Sequence, residues 1–100
     1  MKELINEINQ FNNDRGWGGN HDARNLAISI TLEASELLEC FQWQSAEESI
    51  SKDKQAIVDE MADVYIYLLQ LSDVIGEDLV HAAREKMKKN AIKYPINVTT

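Results

Sequence analysis

From Asn20 to Ile75 the chain carries neither glycine nor proline. Glycine weakens a helix interior and proline breaks it, so the two residues punctuate helical chains. Here three of the four glycines cluster at Gly16, Gly18 and Gly19; the fourth is Gly76, and the single proline is Pro95. Such a long stretch without a breaker points to long helices. The apolar spacing agrees. A first helix is expected over about 2–12, with Leu4, Ile5, Ile8 and Phe11 at helical intervals. The DRGWGGN segment after it is a loop. A second helix is expected from an Asp22 N-cap to about Gln44. At 100° per residue, its Leu26, Ile30, Ala34, Leu37 and Phe41 fall within a sector of about 80°.

The polar stretch from Ser45 to Asp53 reads as a connection, with Ser45 and Glu48 matching a capping box for a short helical turn. A third helix is expected over about 54–75, closed by Gly76. Its apolar side carries Ala56, Ile57, Val64, Leu68, Leu71 and Ile75. A fourth starts near Asp78 with Leu79, Val80, Ala82, Ala83 and Met87, and ends before Tyr94-Pro95. Lys86, Lys88 and Lys89 suit the negative C-terminal end of that helix. The tail from Asn97 to Thr100 is expected to fray.

The fold class is therefore all-α: a bundle of four main helices in a single domain, residues 1–100. Two helices of roughly 20 residues, about 30 Å each, make a thin monomer. The apolar surface left over is expected to be buried by homo-oligomerisation. The longest apolar run, Val64 to Leu69, is far short of the roughly 20 residues of a membrane span. MKELINEINQ is too polar for a secretory signal. The lone cysteine, Cys40, forms no internal disulfide and reads as a small core hydrophobe. A reducing cytoplasm fits. Ten basic against seventeen acidic residues, net −7, exclude a generic cationic surface for a nucleic acid polymer. An anionic ligand would need its charge neutralised by something else, most simply a metal ion.

Two pairs of acids bear on that point. Glu33 and Glu36 lie on the second helix, Glu60 and Asp63 on the third, each pair at i, i+3 on one helix face. Seventeen acids produce such pairs by chance, so the spacing carries little. Their direction carries more. Glu60 falls inside the apolar sector between Ala56 and Val64, Asp63 at its edge, and Glu33 within about 20° of Leu26. Glu36 lies further round. An unpaired carboxylate in a bundle interior costs several kcal/mol, so it must be paired, protonated or bound to a cation. Arg15, Arg24 and Arg84 are the only arginines, and none lies within either pair. Mg²⁺ or Mn²⁺ suits carboxylate oxygens from two facing helices. The plainer alternative is a solvated acidic face, or pairing with lysines of the fourth helix. A di-iron carboxylate bundle wants Glu-x-x-His on two helices, which is absent here; Asp78 with His81 is a lone Asp-x-x-His.

The segments RNLAISITLEASELLECFQW, EMADVYIYLLQL and KMKKNAIKYP, with INQFNNDRGW before them, resemble the MazG-like nucleotide pyrophosphohydrolases. The resemblance covers nearly the whole chain and is nearest to the small single-domain branch that includes dCTP pyrophosphatases. The paired acids are degenerate motifs. Their combination with Trp17, Arg24-Asn25-Leu26, Phe41-Gln42-Trp43 and Lys93-Tyr94-Pro95 is much more specific. The resemblance implies cleavage of a nucleoside triphosphate between its α and β phosphates, giving a monophosphate and pyrophosphate. It implies Mg²⁺, or Mn²⁺, held by Glu33, Glu36, Glu60 and Asp63. It implies a homodimer or a dimer-of-dimers tetramer, a dNTP substrate with dCTP first, and a housecleaning role.

Within that frame Glu36 is the expected catalytic carboxylate, orienting or deprotonating the attacking water, since it lies furthest from the core stripe. Trp17 and Trp43 fall off the core stripes and are candidates to stack on the base; covering the bundle end is the alternative for each. His21 could hydrogen-bond the base or sugar, or be a solvated loop residue. Tyr67, one turn after Asp63, could stack on the sugar or pack in the core. Lys89, Asn90, Lys93 and Tyr94 at the end of the last helix could reach the phosphates, from a neighbouring subunit if need be. The competing function is a non-catalytic nucleotide-binding or protein-interaction module, and a third reading is a purely structural helical oligomer.

Overall fold

The computed structural model describes residues 1–18 and 22–97. Four helices run α1 (Lys2–Asp14), α2 (Ala23–Glu39), α3 (Ala46–Val74) and α4 (Leu79–Lys93), with no strand among the described residues. His21 and the last three residues, 98–100, lie outside them, so the expectations for His21 and for a frayed end there have no structural counterpart.

The helix starts follow local chemistry. Asp22 Oδ1 accepts the Asn25 N–H at 2.7 Å, Ser45 Oγ the Glu48 N–H at 3.1 Å, and Asp78 Oδ1 the His81 N–H at 3.0 Å. Each satisfies one of the donors a helix leaves open at its first turn. At the end of α3 a Schellman motif forms: Glu77 N–H donates to Ser72 O at 2.9 Å and Gly76 N–H to Asp73 O at 3.2 Å. Gly76 takes φ +73°, a left-handed conformation that glycine adopts without penalty.

Two boundaries differ from expectation. The second helix stops at Glu39, and residues 40–44 form turns, so Trp43 is not on a helix face. The Ser45–Asp53 connection is instead helical and continuous with α3, interrupted at Asp53, whose φ −155° and ψ 75° are non-helical. Asp53 Oδ1 accepts the Ala56 N–H at 3.0 Å and so caps the second half of α3. The expected start at Lys54 is therefore a kink within one long element. Two good N-caps in succession, Ser45 and Asp53, each began a helical segment.

α2 and α3 pack along each other, and α1 leans on α3. Leu26 of α2 and Leu69 of α3 are the two fully buried large side chains; Ile8 and Ile57 complete the buried apolar set among the described residues. Leu69 lies outside the stripe assigned to the third helix. Several stripe residues stay open: Ala34 is exposed, Phe11 is 48% exposed and Ile75 59%. The four helices do not close into a four-helix bundle within one chain. α4 contains no buried residue, and the molecule is 60 × 36 × 24 Å along its principal axes. Ile28, Leu32, Leu38, Val58, Met61 and Tyr65 remain exposed on α2 and α3. None of the described helices is long and apolar enough to cross a membrane.

Replacing Leu69 by alanine in the tightest part of this small core is expected to cost about 2–5 kcal/mol, read from urea unfolding. A change below about 1 kcal/mol would mean that the core lies elsewhere.

Candidate metal centre and adjoining cavity

Glu33 and Glu36 sit on successive turns of α2, and Glu60 faces them from α3. One carboxylate oxygen from each lies within 4.8 Å of the others, close enough to share one cation. Glu33 Oε2 and Glu60 Oε2 are buried without a hydrogen-bond partner among the described residues. An uncompensated buried carboxylate is among the costliest features a fold can carry. Burial, then the Glu36 carboxyl, then the charges of Asp63 and Glu60 push Glu33 up to about 7 from an ordinary 4.5. Burial first, then Glu36 and Asp63, raise Glu60 as well. No lysine or arginine offsets either shift. The one ion pair among the described residues, Lys88 with Glu85 at 3.0 Å, lies within α4. Pairing of the acids with α4 lysines is thus not found among the described residues. These oxygens fit a divalent cation: hard carboxylate donors, two of them already desolvated and lacking any other partner.

Asp63 is exposed and does not belong to the three-glutamate group, although its charge reaches Glu33 and Glu60. It lines an adjoining cavity of about 280 Å³ with Ile8, Phe11, Trp17 and Tyr67. Tyr67 lies one turn beyond Asp63 on the same side, as its spacing suggests. The approach of Trp17 is set by the end of α1. Gly16 turns left-handed at φ +71°, and the Trp17 N–H donates to Asn12 O at 2.8 Å. The chain folds back and sets the Trp17 ring edge-on to Phe11, centroids 6.0 Å apart. The Arg15 guanidinium covers the Phe11 ring at 3.5 Å from its centroid.

The other sequence-derived candidates are spread out. Trp43 is 96% exposed and left-handed at φ 66°, a conformation that costs a bulky residue about 1–2 kcal/mol. It lines a separate cavity of about 420 Å³ with Glu39, Cys40, Lys52 and Asp53, and shares no lining residue with Trp17. Cys40 is half-buried, and its thiol is raised by burial and by the charges of Glu60, Asp53 and Glu39, as befits an inert packing residue. Lys89, Asn90, Lys93 and Tyr94 are exposed on or just after α4, where Lys93 Nζ lies 5.4 Å from the Tyr94 ring centroid. Within the chain they are not gathered at the glutamates.

Three residues escaped the sequence reading. Phe11, assigned to a core stripe, lines the cavity. Asn12 and Gln70, each 8% exposed, are buried polar residues in its wall. Asn12 falls inside the sector of Leu4, Ile5, Ile8 and Phe11, and a carboxamide on an apolar stripe is the signal that could have revealed it.

A helical protein with a glutamate cluster between two packed helices and an aromatic cavity beside it is an all-α carboxylate-site protein. The comparisons narrow that class: residues 28–99 match the MazG-like family, and the chain belongs to it. It is 35% identical over 95 residues to dCTP pyrophosphatase 1 of Rattus norvegicus, covering 90% of this chain and 56% of that protein. The Homo sapiens protein of that name is 33% identical over 94 residues, covering 89% of this chain and 55% of that protein. The chain thus spans about half the length of the curated relatives it matches. The crystal structure of a pyrophosphatase from Archaeoglobus fulgidus is 43% identical with a TM-score of 0.89, over 96% of this chain and 93% of that one.

Glu33 holds its proton more tightly folded than unfolded. Its contribution to stability is therefore fully present below pH 4.5 and lost as pH rises through about 7. In metal-free buffer the melting temperature is expected to fall over that window more steeply for the unaltered protein than for Glu33→Gln. Equal slopes would remove Glu33 from the buried cluster.

Proposed function

We propose that the chain is a Mg²⁺-dependent nucleoside triphosphate pyrophosphohydrolase that converts a dNTP, dCTP first, to the monophosphate and pyrophosphate. The single observation that carries the reading is the pair of partnerless buried oxygens on Glu33 and Glu60, with Glu36 beside them. In this reading Glu33, Glu36, Glu60 and Asp63 hold the cation, with Mn²⁺ as a substitute for Mg²⁺. The bound cation supplies charge neutralisation for a triphosphate that a protein of net charge −7 would otherwise repel, and stabilises charge developing on the phosphorus oxygens.

The residues of the chain do the rest. Glu36, the exposed member of the group, orients or deprotonates the water that attacks the α phosphorus. Asp63 lies between the two halves of the site: its charge reaches the glutamates, while its side chain borders the cavity of Phe11, Trp17 and Tyr67. That arrangement favours phosphates at the glutamates and the base in the cavity, stacked on Trp17 and Tyr67 at about 1–3 kcal/mol per stacking side chain. The names of the rat and human relatives, dCTP pyrophosphatase 1, support dCTP as the first substrate to try.

A second copy of the chain completes the molecule in this reading, as a dimer or a dimer of dimers. The support is the uncovered apolar groove between α2 and α3, about 570 Å³, lined by Leu37, Val58, Met61, Val64, Tyr65 and Leu68. Such a surface is unusual on a stable monomer. The same assembly would bring Lys89, Asn90, Lys93 and Tyr94 from a neighbouring α4 toward the phosphates, and would cover the strained, exposed Trp43.

The test is a pyrophosphate-release assay with Mg²⁺ on the canonical dNTPs, dUTP and the ribonucleotides. Pyrophosphate with the matching monophosphate is expected, Glu60→Ala should abolish it, and Glu36→Gln should lower kcat by about 100-fold or more. Mg²⁺ should also raise the melting temperature of the unaltered protein but not of Glu60→Ala. Release of phosphate instead, or no product from any nucleotide by a folded, Mg²⁺-binding protein, would overturn the reading. Sedimentation should give a dimer or tetramer, which Met61→Glu, a charge placed in the groove, should dissociate.

A further inference from the structure

The buried carboxamides of Asn12 and Gln70 lie between two cavities and line both. On one side is the aromatic cavity of Phe11, Trp17, Tyr67 and Asp63. On the other is a polar cavity of about 270 Å³ walled by Asn9, Asn13, Gly18 and Asp73. Asn12 Nδ2 donates to Gln70 Oε1 at 3.4 Å, a long bond that ties α1 to α3. Asn9 Nδ2 donates to Asp73 Oδ2 at 3.2 Å one turn away, so the two helices are already pinned beside the pair. Gly18 closes the polar side, where a Cβ would run into Asn13 Oδ1.

Two carboxamides joined by one amide-to-carbonyl bond leave the oxygen of the first and the amino group of the second wholly free. Here the spare groups are Asn12 Oδ1, an acceptor, and Gln70 Nε2, a donor; neither has a hydrogen-bond partner among the described residues. Neither is a sealed, partnerless atom of the kind found on Glu33 and Glu60. A free acceptor on one residue and a free donor on the other, both in the wall of an aromatic cavity, can match a nucleobase edge that offers a donor next to an acceptor. Cytosine does so, through its exocyclic N4 amine and ring N3. Uracil and thymine present the reverse order, O4 as acceptor and N3–H as donor.

Resting on the triphosphate reading above, we propose that Asn12 and Gln70 are the specificity-determining pair of the site. Asn12 Oδ1 accepts from the cytosine N4 amine, and Gln70 Nε2 donates to N3, while Trp17 and Tyr67 hold the faces of the ring. The pair chooses the base; the glutamates perform the cleavage and are indifferent to it.

Two near-isosteric variants test this. Gln70→Glu keeps an oxygen for the Asn12 amide but replaces the donor to N3 with an acceptor. It should lower the ratio of kcat/KM for dCTP to that for dUTP about tenfold, the scale of one well-made base contact. Asn12→Asp removes the amide that holds Gln70 Oε1, so the Gln70 amide turns to donate Nε2 to the new carboxylate, N3 then faces an oxygen, and the same ratio should fall as well. Circular dichroism and melting curves establish that each variant is folded. A pair that merely pins α1 to α3 would lower both rates in parallel and leave the ratio unchanged; that outcome, or a rise of the ratio in either variant, overturns the proposal. Binding of dCMP and dUMP, followed through tryptophan fluorescence, separates this proposal from the cleavage reading. If the unaltered protein released no pyrophosphate, the cleavage reading would fall. A fall in the dCMP-to-dUMP affinity ratio in both variants would still uphold base selection by the pair, and unchanged ratios would overturn it.

Discussion

The packing of α2 on α3 carries a penalty at its centre. Two carboxylate oxygens, on Glu33 and Glu60, are enclosed where the helices meet, and no protein group compensates them. Apolar packing around Leu26, Ile57 and Leu69 holds the helices together despite that cost. A buried charge with no partner normally neutralises itself or recruits a counter-ion, and the raised Glu33 carboxyl is the first of these responses. The second response is the proposed function. In that reading the unpartnered oxygens confer affinity for a cation once the pH is high enough to ionise them.

The rest of the architecture leaves that pair of helices open on other sides. α3 is long because two successive caps, Ser45 and Asp53, join its halves, and the kink between them lies beside the cavity that Trp43 lines. α1 adds only one flank, yet that flank supplies Phe11, Asn12 and Trp17. α4 adds no buried residue. A monomer that leaves Leu32, Leu38 and Met61 more than half exposed is short of burial partners, and surface of this kind is what a second copy can cover. The cavity of Trp17 and Tyr67 adjoins the glutamates through Asp63, so a carboxylate cluster and an aromatic cavity stand side by side within one chain.

Much of this was legible in the amino-acid order, because helices are governed by short-range rules. The breaker-free stretch, the Asp22, Ser45 and Asp78 caps and the Gly76 terminus are local features, and each appears where its chemistry puts it. The glutamates were legible for a related reason: an acid at an apolar position of a helical period points inward. Where periodicity was extended too far it failed. Trp43 was assigned a helix face, but the helix had already ended at Glu39. Asp53 was taken for the end of a connection, when a second cap within one element looks the same in sequence as the first.

Sequence alone determined the all-α class, the Asp22 and Asp78 helix starts and the Gly76 terminus, the inward turn of Glu33 and Glu60 and, by resemblance, the MazG-like family. Only the tertiary structure decided which acids meet, because that depends on the register of α2 against α3, which no periodicity encodes. It joined Glu33, Glu36 and Glu60, and turned Asp63 toward the neighbouring cavity. It separated the two tryptophans, and it brought Asn12 against Gln70. A local rule says which way a side chain faces; what it faces is settled by a helix tens of residues away.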